Sequence, residues 1–194
     1  MADANPLKRP GFVTVGVTGH RFLRQTDELI PAIGVALDAI ATRWPGLPLT
    51  IISALAEGSD RLVVKRVLLH SGAKLVVPLP LPEDEYMRDF RLPGSSLEFL
   101  SLLAQASRIV RLPPAPSRPA AYSAAGEFML AHCDLLIALW NGQPAHGDGG
   151  TGSVVAAARG CGLPLIWIHA HNDKPGSLTS GLTTTQGRMT YENW

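Results

Sequence analysis

Residues 134–140, DLLIALW, run directly into 141–153, NGQPAHGDGGTGS. After its first residue the opening run is continuously apolar, which is the pattern of a β-strand covered on both faces. The following segment carries five glycines and is costly to order unless it holds something. A short helix is predicted from Thr151 to about Cys161. The amide groups at its start point outward and its dipole favours an anion, so Gly149, Gly150, Thr151, Gly152 and Ser153 are candidates for holding a phosphate. A mobile surface loop is the alternative.

Outward from this stretch, strand and helix signals alternate. Residues 12–18, FVTVGVT, are rich in β-branched residues and read as a first strand. A helix is expected from Thr26, with Asp27 and Glu28 in its first turn and Leu29, Ile33, Leu37, Ile40 and Trp44 at helical spacing. Residues 48–54 form strand two, 60–71 a helix closed by Gly72, and 74–79 strand three. Ser95 and Glu98 have the spacing of a capping box ahead of FLSLLAQA. Residues 108–112 are strand four, four prolines between 113 and 119 mark a stiff loop, 120–132 form a helix, and 164–169 form strand six. Strand–helix alternation with short turns implies right-handed crossovers and a mainly parallel sheet. The fold class is therefore α/β, a Rossmann-like three-layer sandwich with helices on both faces. Residues 11–170 make up the domain. Residues 171–194 are polar, lack core periodicity, and are read as a flexible C-terminal tail or a linker to a further domain.

Composition narrows the function classes. The chain has 194 residues, 46% hydrophobic and 17% charged, which suits one folded core. The net charge of +1 lacks the basic excess typical of nucleic-acid binders, so no nucleic-acid partner is expected. No apolar run reaches the ~18 residues of a membrane span, and residues 1–11 do not resemble a signal peptide. Cys133 and Cys161 form no metal or disulfide pattern and read as buried thiols in a reducing compartment, with the cytoplasm as the expected location. No metal and no cofactor is expected.

Two further turns join the glycine-rich loop at the strand ends, where open parallel sheets bind ligands. The first is Gly16-Val17-Thr18-Gly19-His20-Arg21; glycine permits close backbone approach to a phosphate and Arg21 can pair with one. The second is Ser53-Ala54-Leu55-Ala56-Glu57-Gly58-Ser59-Asp60, where Ser53 and Glu57 could bond a ribose or base and Gly58 supplies the turn. Asp60 and Ser59 read more simply as helix caps. Tyr122 has the choice of stacking on a base or packing in the core, and Glu127 of serving a site or lying on the surface. Glu83, Asp84 and Glu85 read as a solvated helix start, and His169 and His171 as surface histidines.

In this order the three turns resemble the SLOG superfamily. It joins the Lonely Guy phosphoribohydrolases, lysine decarboxylase-like proteins, the DNA-processing protein A family, and sensor domains of bacterial conflict systems and melastatin-type channels. The resemblance covers about residues 11–170. Residues 52–60 are similar to the S-G-x-A-x-G-x-D turn of the DNA-processing family, and Asp134 to Ser153 to the Lonely Guy stretch ending in P-G-G-x-G-T-x-x-E. Two departures matter: Ala156 stands where the Lonely Guy pattern has its glutamate, and Ala125 where it has an arginine. Losing that carboxylate argues against the hydrolase chemistry, whose oxocarbenium-like transition state needs nearby negative charge. The resemblance therefore implies a sensor-type domain that binds a small phosphate-bearing nucleotide or an NAD- or ADP-ribose-derived ligand. The site residues are Thr18, Gly19, His20, Arg21, Ser53, Glu57, Gly58, Tyr122 and residues 149–153. The alternative is a nucleotide-processing hydrolase of N-ribosidic bonds, with Glu57 or Glu127 as the catalytic carboxylate. Members commonly pair through helices beside the sheet, so a homo-oligomer is expected.

Overall fold

The computed structural model describes residues 11–24, 26–144, 150–173 and 185–194. Strand and helix alternate along the chain as β1 (Val13–Gly19), α1 (Thr26–Arg43), β2 (Leu49–Ile52), α2 (Ser59–Val67), β3 (Lys74–Leu79), α3 (Glu83–Met87), α4 (Ser95–Leu103), β4 (Arg108–Arg111), α5 (Arg118–His132), β5 (Leu135–Trp140), α6 (Thr151–Gly160), β6 (Leu165–His169) and β7 (Met189–Glu192). The strands form one seven-stranded sheet in the order β4-β3-β2-β1-β5-β6-β7. Every pairing is parallel except β6 with β7. This is the Rossmann-like α/β architecture expected from the sequence.

Alternation along each strand sorts the core into two layers. Val15 and Val17 of β1 and Leu135, Ile137 and Leu139 of β5 pack with Leu29, Ile33, Leu37 and Ile40 of α1, Val63, Val64 and Val67 of α2, and Phe99 of α4. Leu136, Ala138 and Trp140 face the other way, onto Met129 of α5 and Val155 and Ala158 of α6. The fully buried run Leu135–Leu139 thus reflects a strand sandwiched between helical layers.

The chain first winds from β1 outward to β4, then returns through α5 to place β5 against the free side of β1. The strand order reverses there, and crossovers leave the sheet in opposite directions, opening a crevice beyond the carboxyl ends of β1 and β5.

Three local expectations are corrected. Residues 189–192, read as part of a flexible tail, pair antiparallel with β6, Leu165 facing Glu192 and Ile168 facing Met189. A four-residue strand has too few alternations to stand out in sequence. Ser95 is not an N-cap: Gly94 holds that position, and Ser95 is buried inside the first turn. Its intended partner Glu98 binds Lys65 and Arg61 instead. Cys161 is exposed, and only Cys133 is buried.

Two turns approach so closely that glycine is required in both. A Cβ on Gly19 would lie 2.4 Å from Ser59 Oγ and 2.5 Å from Leu139 O. A Cβ on Gly58 would lie 2.4 Å from Arg21 O, and its φ of +77° is strained for any side chain. Gly34, in the middle of α1, has open space where a Cβ would go. Opposite outcomes are expected in urea denaturation: Gly58→Ala destabilises by at least about 2 kcal/mol, whereas Gly34→Ala stabilises by about 1 kcal/mol.

Candidate functional site

A cavity of about 210 Å³ occupies the crevice. Thr18 and Gly19 at the end of β1 form its floor with Ala54 and Ala56 of the second turn. Tyr122, Ala125 and Met129 of α5 form one wall, and Gly150, Thr151 and Val154 at the start of α6 another. Arg21, Asp60 and Tyr86 complete it. Gly150 occupies the N-cap of α6 and no side chain caps that end. The dipole of this ten-residue helix therefore acts on the cavity.

The second turn is held from within. Ser53 Oγ donates to Asp60 Oδ2 (2.9 Å) and accepts from the Leu55 amide (2.9 Å). Leu55, fully buried, takes the left-handed conformation at φ +58°, and its carbonyl accepts from Arg61 Nε at 2.9 Å. The Arg61 guanidinium is itself buried, donating to Ser95 O and Oγ and lying 4.5 Å over the Phe90 ring. Strain at Leu55 is thus sustained by surrounding bonds, and it brings Ala54 and Ala56 to the cavity.

Glu57 is 1% exposed and fully bonded. Its Oε2 accepts from Arg21 Nη2 at 2.8 Å, and its Oε1 accepts from the amides of Arg91 and Leu92 at 2.8 and 2.9 Å. Burial pushes its pKa upward, but the Leu92 amide, Ser95, the Arg91 amide and the Arg21 charge outweigh that and hold it below the ordinary value. Arg21 also donates to Asp89 O, so its guanidinium is steered while staying one-third exposed beside the cavity.

Asp60 behaves oppositely. It lines the cavity at 7% exposure, and burial raises its pKa to about 7 against the opposing pull of Ser53, the Ala56 amide, Arg61 and Arg21. Tyr86, also in the wall, is buried, and its phenol is pushed far up by burial and then by Asp60. The Tyr122 hydroxyl donates to Asp89, and burial with that carboxylate raises its pKa to about 12. Arg118 closes the outer side of Asp89 at 2.7 Å.

Of the residues singled out in sequence, Thr18, Gly19, Arg21, Tyr122, Gly150 and Thr151 line this cavity. His20 acts as a splice: its amide donates to Leu139 O, its Nε2 accepts from the Asn141 amide at 3.0 Å, and its carbonyl accepts from Ser59. Burial keeps its pKa low. Ser53 is wholly buried in the turn, and Gly58 serves the turn-to-turn approach. Glu127 and Ser153 line a separate cleft between α5 and α6. Gly152 lies in the first turn of α6, and Gly149 falls outside the described residues. Asp60 and Tyr86 were not selected. The aspartate was legible in the turn motif, two residues after Gly58; nothing in EDEYM points to Tyr86. Among the described residues, no helix is long and apolar enough to cross a membrane and no His, Cys, Asp and Glu cluster fits a metal ion.

Fold and crevice define an α/β domain of Rossmann type with a cleft at its switch point. It is similar in structure to DNA processing protein A from Helicobacter pylori, a protein solved for its single-stranded DNA binding mode. The TM-score is 0.54 at 19% identity, covering 82% of this chain and 65% of that one, so the chain spans just under two thirds of that neighbour. No family model matches the chain, and no curated protein matches it. The likeness is one of fold.

The neighbour corrects two expectations. A sensor of free small nucleotides, or a hydrolase of them, and the absence of a nucleic-acid partner were both inferred largely from resemblance and net charge. A protein of this fold binds single-stranded DNA. Net charge sums the whole surface, whereas strand binding draws on a local groove and on stacking.

The bonding of Glu57 makes it a folding element first. Glu57→Gln should lower stability by roughly 2–4 kcal/mol, because Arg21 loses its countercharge and an amide cannot accept from both backbone donors with Arg21 as well. Since its folded pKa is depressed, the wild-type contribution is present above the ordinary value of 4.5 and lost as pH falls through the folded pKa. Chemical denaturation between pH 7 and pH 3 should show that acid loss in the wild type and a weaker one in the variant.

Proposed function

We propose that this chain binds single-stranded nucleic acid, taking one unit of the strand into the cavity at the ends of β1 and β5. The observation that carries the reading is the size and lining of that cavity. At about 210 Å³ it is smaller than the roughly 300–1,000 Å³ sites that enclose whole small ligands. Such a space suits a base or phosphate whose remaining chain lies outside. Tyr122 offers aromatic surface, and the uncapped start of α6 with Arg21 offers an anion site.

The resemblance of the three turns to the SLOG superfamily, and of the fold to DNA processing protein A, supports the reading from outside the site. The spacing of Ser53, Gly58 and Asp60 follows the DNA-processing pattern. The assembly is also suited to a strand rather than a duplex, because a narrow crevice admits an unpaired base and not a paired one.

With few cations at the cleft, few counterions are released. Binding of a fluorescent oligothymidylate should weaken only gently with salt, with a log–log slope between about −0.7 and −1.4 for one or two phosphates. No binding, or equal affinity for duplex, overturns the reading. Thr151→Glu separates folding from binding: a carboxylate in the first turn of α6 should maintain or raise Tm, yet repel phosphate and weaken binding at least about tenfold.

Asp60 adds a pH signature. Its raised pKa means the native state holds a proton up to about pH 7, so the stability this protonation confers is full below the ordinary carboxylate range and is lost as pH rises through about 7. Ionisation also places a negative charge in the cavity. Strand affinity should therefore fall between pH 6 and 8, and Asp60→Asn should flatten the profile in an anisotropy titration.

A further inference from the structure

On the sheet face that α6 covers over β5 and β1, Leu165 of β6 packs in one cluster with Val155 and Ala158 of α6, Trp167 is partly buried against that cluster, and His169 is only partly buried. A sheet face open to solvent ordinarily carries polar residues. Here β6 presents Trp167 and His169, with their rings stacked at 4.0 Å and 26°. The indole is fixed from below: its Nε1 donates to Trp140 O at 2.9 Å, and the Trp140 ring lies 5.3 Å away. Gly142, at φ +82°, lies against the same ring, where a Cβ would come within 3.1 Å. The Arg159 guanidinium lies 5.5 Å from the Trp167 centroid, held by Glu192 at 2.7 and 2.8 Å.

The stack ends at His169. One face of its imidazole rests on Trp167, its Nε2 is 3.4 Å from Thr190 Oγ1, and no further ring covers it among the described residues. Burial and the neighbouring Arg188 lower the pKa of the imidazole, which favours its uncharged form. Arg188 is exposed and makes no ion pair among the described residues, unlike Arg159. An aromatic face with a free cation beside it matches a base followed by its phosphate.

Position links this surface to the cavity. His169 is the register partner of Trp140 at the carboxyl end of the sheet, and Ile168 partners Leu139, which partners Gly19 of the cavity floor. Two strand spacings separate β1 from β6, roughly 10 Å. Helix α6 borders both places, with Thr151 and Val154 lining the cavity and Arg159 over Trp167.

We infer that the Trp167–His169 stack with Arg188 is a second, base-stacking subsite on the track of a single strand leaving the cavity. The inference rests on the proposed strand binding, and its test separates the two. Intact chain is titrated with two labelled probes, a thymidine mononucleotide that reaches the cavity alone and an oligothymidylate of about ten nucleotides that spans both places. The double variant His169→Ala/Arg188→Ala should weaken the long oligonucleotide by about fivefold to a hundredfold, the range for losing one stacked base, and leave the mononucleotide within about twofold. His169→Phe should restore the long-oligonucleotide affinity, because stacking needs a π face and not an imidazole. An unchanged long-oligonucleotide affinity in the double variant, with Thr151→Glu still weakening binding, overturns the subsite and leaves the cavity reading standing. Equal loss for both probes also overturns it. Absence of binding by the wild-type chain overturns both.

Discussion

A buried carboxylate organises this crevice. Glu57 is out of contact with water and accepts from one guanidinium and two backbone amides, each on a different stretch of chain from its own turn. An unpaired charge in that position would cost several kcal/mol, so the turn after β1, the turn after β2 and the segment at 88–92 are stable only when all three are in register. Gly19 and Gly58 supply the space for that meeting, and His20 extends it to β5 by taking bonds from Ser59 and Asn141. The residues that look most like ligand contacts in sequence are, in part, contacts between turns. This does not remove them from function. A crevice in which Arg21 is steered by Glu57 and Asp89 O presents its guanidinium in one orientation, and preorganisation of this kind reduces the ordering cost of binding.

The two acids of the second turn separate for an electrostatic reason. Glu57 and Asp60 are three residues apart and both buried; Arg21 acts on both, and Arg61 on Asp60. Glu57 has a full set of donors and stays ionised. Asp60 has the Ser53 hydroxyl and one amide, which do not offset its burial, and its pKa rises to about 7. One turn therefore carries both an ionised group, Glu57, and a titratable group in the cavity, Asp60. A group poised near neutrality in a cleft is a recurrent mark of functional sites. Here it can be a neutral donor or a charged acceptor toward whatever enters.

Strands β1 to β6, the two-sided burial of β5 and the helix starting at Thr151 were legible because each rests on local pattern: β-branched runs, continuous hydrophobicity, or helical spacing over several turns. The cavity was legible in outline, since strand ends and glycine turns mark it in any open parallel sheet. What escaped depends on partners distant in sequence. Ser95 and Glu98 have capping-box spacing, yet Arg61 reaches across and takes both side chains. Strand β7 exists because β6 offers an unpaired edge, which no property of MTYE announces. Tyr86 enters the cavity wall because α3 folds back over the aromatic cluster of Phe90 and Phe99. The charged residues ahead of it disguise that placement.

Net charge was the least informative of the sequence properties, for a reason the surface makes plain. Most arginines near the crevice are already committed: Arg118 to Asp89 and Glu85, Arg88 to Asp84, Arg111 to Glu83. A count of charges treats these pairs as cancelling and also treats unpaired cations as cancelled by remote acids. A ligand does neither. At the crevice it would meet a helix terminus that carries partial positive charge without any basic residue, one guanidinium about one-third exposed, and an aromatic ring whose attraction for a base is independent of charge. On the proposed strand binding, affinity built from those elements would leave the composition near neutral and would favour an unpaired strand, whose bases are free to leave their stack, over a duplex, whose recognition depends on many phosphates at once.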